Sequence, residues 1–141
     1  MRGALVPVLL GLALTACAEG DDRPDTDQAS PAVGDPSGTY DTAVALMRSS
    51  CAGIQVEDQP TTVDLAGETL TLTHGPLTYT GTLSELGKFT TEPVEVEVGQ
   101  DTHRLAVAGS LRDQRLVAVV TAHVSGGQTC DYQVSWKGSR R

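Results

Sequence analysis

From residue 61 onward, apolar and polar side chains alternate along the chain. Val63 and Leu65 share one parity, followed by Leu70 and Leu72, Leu77, Tyr79 and Leu83, and Val94, Val96 and Val98. Leu105, Val107 and Leu111 continue the pattern, and Tyr132, Val134 and Trp136 end it. Threonine, glutamate, glutamine and serine fill the positions between. A period of two with one wet face predicts antiparallel strands around a core. Turn residues punctuate the runs at Ala66-Gly67-Glu68, His74-Gly75-Pro76, Gly99-Gln100-Asp101, Arg112-Asp113-Gln114 and Ser125-Gly126-Gly127, so sequential strands are joined as hairpins. With a first strand near 39–47, the pattern predicts an all-β domain of about eight strands, a single small antiparallel up-and-down barrel or sandwich. Residues 42–50 fit either strand or a helical turn. The stretch 115–124, RLVAVVTAHV, is apolar on both faces and predicts a strand that either lies beneath a cover, the commoner case, or exposes an apolar face. Gly81-Thr82-Leu83-Ser84-Glu85 and Gly109-Ser110-Leu111-Arg112-Asp113 repeat the order glycine, hydroxyl, leucine, any residue, acid. Both glycines are expected on the inner wall of a closed sheet, where curvature leaves no room for a Cβ.

The N-terminus breaks this pattern. Met1-Arg2-Gly3 carries a positive charge, and Ala4 to Leu14 is an uncharged apolar run too short to span a bilayer. Leu14-Thr15-Ala16-Cys17 closes it and resembles the lipobox of bacterial lipoprotein precursors. The resemblance implies a signal peptide over 1–16 and a diacylglycerol on the Cys17 thiol. Residue 18 is alanine, so the aspartate that retains enteric lipoproteins in the inner membrane is missing. The expected location is the cell envelope, at the periplasmic face of the outer membrane or the cell surface in a Gram-negative source. Residues 18–38 hold three prolines, six acids and a single Arg23, with Val33 as the one sizeable apolar side chain. Such a segment cannot offset its ordering entropy, so 17–38 is expected to be a lipidated, disordered acidic tether. Its charge discourages collapse onto anionic headgroups. A β-domain over 39–137 and a basic tail over 138–141 complete the expected organisation.

With Cys17 assigned to lipid, Cys51 and Cys130 remain, an even number for an oxidising compartment. One follows the first strand and the other opens the last, so a disulfide between them closes the sheet. The other reading, metal-binding or reactive thiols, lacks a Cys-x-x-Cys spacing.

The histidines are the first candidates for chemistry. His74 continues the parity of Leu70 and Leu72, and His103 that of Leu105 and Val107, so both are expected to point inward at strand ends. With Tyr79 and Trp136 they form the candidate ligand or rim residues. Their spacing matches no metal motif, and no Gly-x-Ser-x-Gly elbow, His-Glu-x-x-His or phosphate loop occurs. No catalytic residue, metal or cofactor is expected, and the domain reads as non-enzymatic. Thr69, Thr71, Thr73, Thr78, Thr80 and Thr82 are expected on the solvent face of adjacent strands. A formal charge of -8 without a basic stripe excludes nucleic acid as a partner.

Gly38-Thr39-Tyr40 near the start of the domain and Arg140 near its end resemble the Gly-x-Trp and packing arginine of the lipocalin class of barrels. That class implies a small apolar ligand. Small lipoprotein inhibitors of lysozyme also resemble this chain, in the anchor, the barrel and a cysteine near each end of the domain. They imply an envelope protein as target, met by loops such as 85–88 and 112–115. The reading is thus a monomeric, membrane-anchored lipoprotein presenting a binding barrel. A periplasmic or surface hydrolase inhibitor and a lipocalin-like carrier are its alternatives.

Overall fold

The computed structural model describes residues 34–141, and the lipobox, with Cys17, lies outside them. The described chain is all β. Its strands are β1 (Gly38–Ser49), β2 (Gln59–Ala66), β3 (Thr69–His74), β4 (Leu77–Leu83), β5 (Lys88–Thr91), β6 (Val94–Val98), β7 (Asp101–Arg112), β8 (Arg115–Gly126) and β9 (Cys130–Arg140). All pairings are antiparallel. Sequential neighbours pair except β5 and β6, which do not pair with each other and instead both pair with β7. β1 pairs with β9, so the sheet closes on itself. Because β5 and β6 occupy successive halves of one stave against β7, nine strands make an eight-staved barrel, not a sandwich.

Glu92-Pro93 separates the two halves of that stave. Proline has no amide to donate to a ladder, which accounts for the interruption at this point. The short β5 escaped the alternation pattern because it contributes a single buried side chain, Phe89. Residues 42–50, ambiguous in sequence, run as strand up to Ser49 with a bulge between Leu46 and Arg48. Thr69, Thr71 and Thr73 face Thr82, Thr80 and Thr78 in register on the outer wall.

One open alternative is decided, for the exposed apolar face over the commoner cover, and one expectation is corrected. β8 has no cover among the described residues: Leu116, Ala118, Val120, Ala122 and Val124 are buried, whereas Val117 stays 50% exposed on the outer wall. Its second apolar face is a property of that wall, not of a central position. The basic tail is mostly strand, since Gly138, Ser139 and Arg140 pair with Thr42, Asp41 and Tyr40.

Antiparallel order fixes two ends. The chain arrives at one, the near end, together with the turns at 67–68, 84–87 and 113–114 and the C-terminus. The other, the disulfide end, carries the loop 50–58 and the turns at 75–76, 99–100 and 127–129. At the near end the last residues assigned to the tether are fastened to the barrel. Tyr40 donates its hydroxyl to the Pro36 carbonyl at 2.8 Å, Arg140 Nη1 donates to the Asp35 carbonyl at 2.9 Å, and Leu65 N donates to Ser37 Oγ at 3.0 Å. Tyr40 and Arg140 are also register partners, so the tyrosine and arginine that carry the lipocalin resemblance do meet. Burial pushes the Tyr40 phenol up in pKa, against the pull of that guanidinium.

The lumen is filled. Leu70, Leu72, Leu111 and Leu116 have no accessible surface, so they touch neither solvent nor a water-sized void. Tyr40, Tyr79, Phe89, Tyr132 and Trp136 fill the remaining width. Burying such large side chains contributes roughly 2–3 kcal/mol each and is the main source of stability in so small a barrel.

Candidate functional site

The side chains that the sequence singled out sit on the inner wall toward the disulfide end. His74 ends β3 and stacks on Trp136 of β9, centroids 4.2 Å apart and planes 25° from parallel. Tyr79 of β4 meets the same indole edge-on at 6.0 Å. On the opposite wall His103 of β7 is buried, with Nδ1 2.8 Å from the Tyr132 hydroxyl. The structure therefore joins His74, Tyr79 and Trp136 in one cluster and gives His103 a separate partner. The sequence signal that reaches Tyr132 is its inward parity with Val134 and Trp136.

Behind His74 runs a short chain of hydroxyls. Thr42 Oγ1 donates to the Tyr40 carbonyl at 3.2 Å and lies 2.9 Å from Thr61 Oγ1, which lies 2.9 Å from His74 Nδ1. Each threonine has one proton. All three bonds are satisfied when Thr61 donates to Thr42 and His74 Nδ1–H donates to Thr61, which leaves the Nε2 lone pair unused in the chain. Burial lowers the His74 pKa, so the ring is neutral at pH 7 and this tautomer is the working one. Burial, aided by the nearby Tyr132 phenol, pushes Tyr79 up to about 12, and burial also raises Tyr132. Both phenols therefore stay protonated and act as hydrogen-bonding groups. No group of three metal-ligating side chains forms among the described residues.

Above this layer the barrel opens into an apolar mouth. Leu46 and Val98 point inward by register, opposite Val134 and beside Val96, yet they are 40% and 53% exposed because their strands outrun the packed core. Met47, the extra residue of the β1 bulge, follows Leu46 in the chain and is 54% exposed. A bulge of this kind bends the strand and re-aims its side chains. Loop 50–58 leans over the same mouth, with Ile54 and Val56 half-buried against the core. Cys51 is bonded to Cys130, Ser50 N donates to the Asp131 carbonyl at 2.9 Å, and Asp58 Oδ1 accepts from Val44 N at 2.8 Å, so both ends of the loop are pinned. Exposed Glu57, Asp58, Glu97 and Asp131 stand at this end together with Arg48 and His123, whose Nδ1 lies 2.8 Å from Asp131 Oδ1, and half-buried Asp101 accepts from Gln128. An open groove of about 520 Å³ runs outward from the rim, lined by Arg48, Ser49, Ser50, Asp131 and Tyr132 among others. The sequence did not reveal this mouth, because its residues obey core parity.

No protein-family model matches the chain, and no curated protein does. Among solved structures, the barrel is similar to the monomer form of the PknI sensor domain of M. tuberculosis. The two chains are 17% identical with a TM-score of 0.51, covering 80% of this chain and 90% of the other. At that identity the likeness shows a shared fold.

Proposed function

We propose that the chain is a bacterial lipoprotein whose acylated Cys17 holds it in the cell envelope, and that its barrel is a non-enzymatic binding domain working through the disulfide end. The carrying observation is that Leu46, Met47 and Val98, three of the exposed large apolar side chains, all lie at the disulfide end, opposite the arriving chain and among exposed acids. An apolar centre inside a charged rim is the anatomy of a recognition surface. Its acidity favours a cationic, apolar-tipped segment of an envelope protein over a neutral lipid. A solid leucine core supports this reading over a carrier, which needs a lumen. A barrel of the same fold serves as a sensor domain in PknI, which fits binding rather than turnover. The disulfide suits an oxidising compartment.

The anchor is tested by feeding cells an acyl-chain analogue. Label is expected on the mature wild-type chain and not on Cys17→Ser, which leaves the membrane fraction. Label retained by Cys17→Ser overturns the anchor.

A further inference from the structure

The near end of the barrel carries a second surface. Residues 34–141 contain eight cations, Arg48, Lys88, Arg104, Arg112, Arg115, Lys137, Arg140 and Arg141, and six of them lie toward the near end. Arg140 is used on the Asp35 carbonyl and Arg141 pairs with Asp41 at 2.8 Å. The other four, Lys88, Arg112, Arg115 and Lys137, are exposed and form no ion pair among the described residues.

Register makes them contiguous. Lys88 faces Ser110, two residues from Arg112; Arg112 faces Arg115; and Val117, two residues on, faces Lys137. Like charges directly opposite on a sheet repel, so the Arg112–Arg115 pair gains from any anion placed over it. Beside the arc, the turn at 84–87 projects Leu86, 67% exposed, and Val117 adds a second exposed apolar side chain at 50%. Glu68, Glu85 and Asp113 border the arc and confine its field to short range. Apolar tips among these cations match an interface of anionic headgroups over hydrocarbon.

We infer that this arc docks the domain on anionic phospholipid, with Leu86 at the headgroup boundary and the disulfide end turned away from the bilayer. The inference rests on the anchor proposed above. The chain reaches the barrel at this end, through residues 34–37, so a tethered domain meets its membrane here first. Tethering supplies an effective concentration near the millimolar range, so even a weak contact is populated.

The test uses the full acylated chain in phosphatidylcholine vesicles, with and without phosphatidylglycerol. A bimane label is placed at Leu86→Cys or, for the far end, at Val98→Cys, and quenching by a nitroxide lipid is read. Quenching at 86 is expected with phosphatidylglycerol, with little at 98. The Arg112→Glu/Arg115→Glu variant should lose it roughly ten-fold. Salt at about 0.5 M should abolish it, since screening then acts within a few ångströms. Equal quenching at 86 and 98, or quenching indifferent to phosphatidylglycerol, overturns docking. If Cys17 carries no acyl group the anchor reading fails separately, and the same labels on the unacylated chain with phosphatidylglycerol vesicles then decide docking alone.

Discussion

Reducing the Cys51–Cys130 bond is expected to lower the melting temperature of the domain by roughly 20 °C. The bond spans 79 residues, nearly the whole barrel, and ties the end of β1 to the start of β9. Cross-linking a loop of that length removes denatured-state entropy worth about 4 kcal/mol, a large part of what a domain of this size possesses. Loop 50–58 loses its covalent pin at the same time, so the disulfide end should loosen before the rest unfolds. Melts followed by far-ultraviolet circular dichroism, with and without reductant, measure the effect. A shift below about 5 °C would mean that the β1–β9 ladder closes the barrel unaided.

Gly109→Ala is expected to destabilise by about 3 kcal/mol or more. A Cβ at this position would lie 2.2 Å from the Val117 carbonyl oxygen and 2.6 Å from Ala118 Cα, and backbone on both counts cannot step aside. Gly81 is in the same situation, 2.0 Å from the Thr90 carbonyl oxygen. The two glycines flank β5: Gly81 faces Thr91 and Gly109 faces Phe89, so both stand where the split stave is gripped from either side. Gly34→Ala, with no atom within 4 Å, is the control and should melt with wild type. Urea denaturation of the three variants checks the ranking. A Gly109→Ala variant as stable as Gly34→Ala would contradict the tight closure.

Those glycines were legible in the sequence, because a glycine amid alternating apolar residues has few explanations other than curvature. The disulfide was legible by counting, on the expectation that Cys17 is set apart by the lipobox resemblance. Most strands followed from parity alone. What parity could not convey is depth along the barrel axis: Leu46 and Val98 carry the same inward signal as Leu72, yet stand in the open because strand length and stagger decide where the core stops. The contact between His74 and Trp136 was hidden for the same reason. They lie three strands apart and meet only through the tilt that closure imposes. Parity left the exposure of Val117 open, because an apolar outer wall and a covered strand are written alike. The basic arc lies in turns and strand ends, and pairing register alone brings its four members together.

The claim that recognition occurs at the disulfide end is most directly tested by photo-crosslinking in intact cells. Benzoylphenylalanine is placed at Met47, at Val98 or, on the threonine wall, at Thr71, and adducts of the chain are resolved by mass. The same protein adduct is expected from positions 47 and 98 and none from 71. No adduct at the two mouth positions, or equal capture from Thr71, would contradict it.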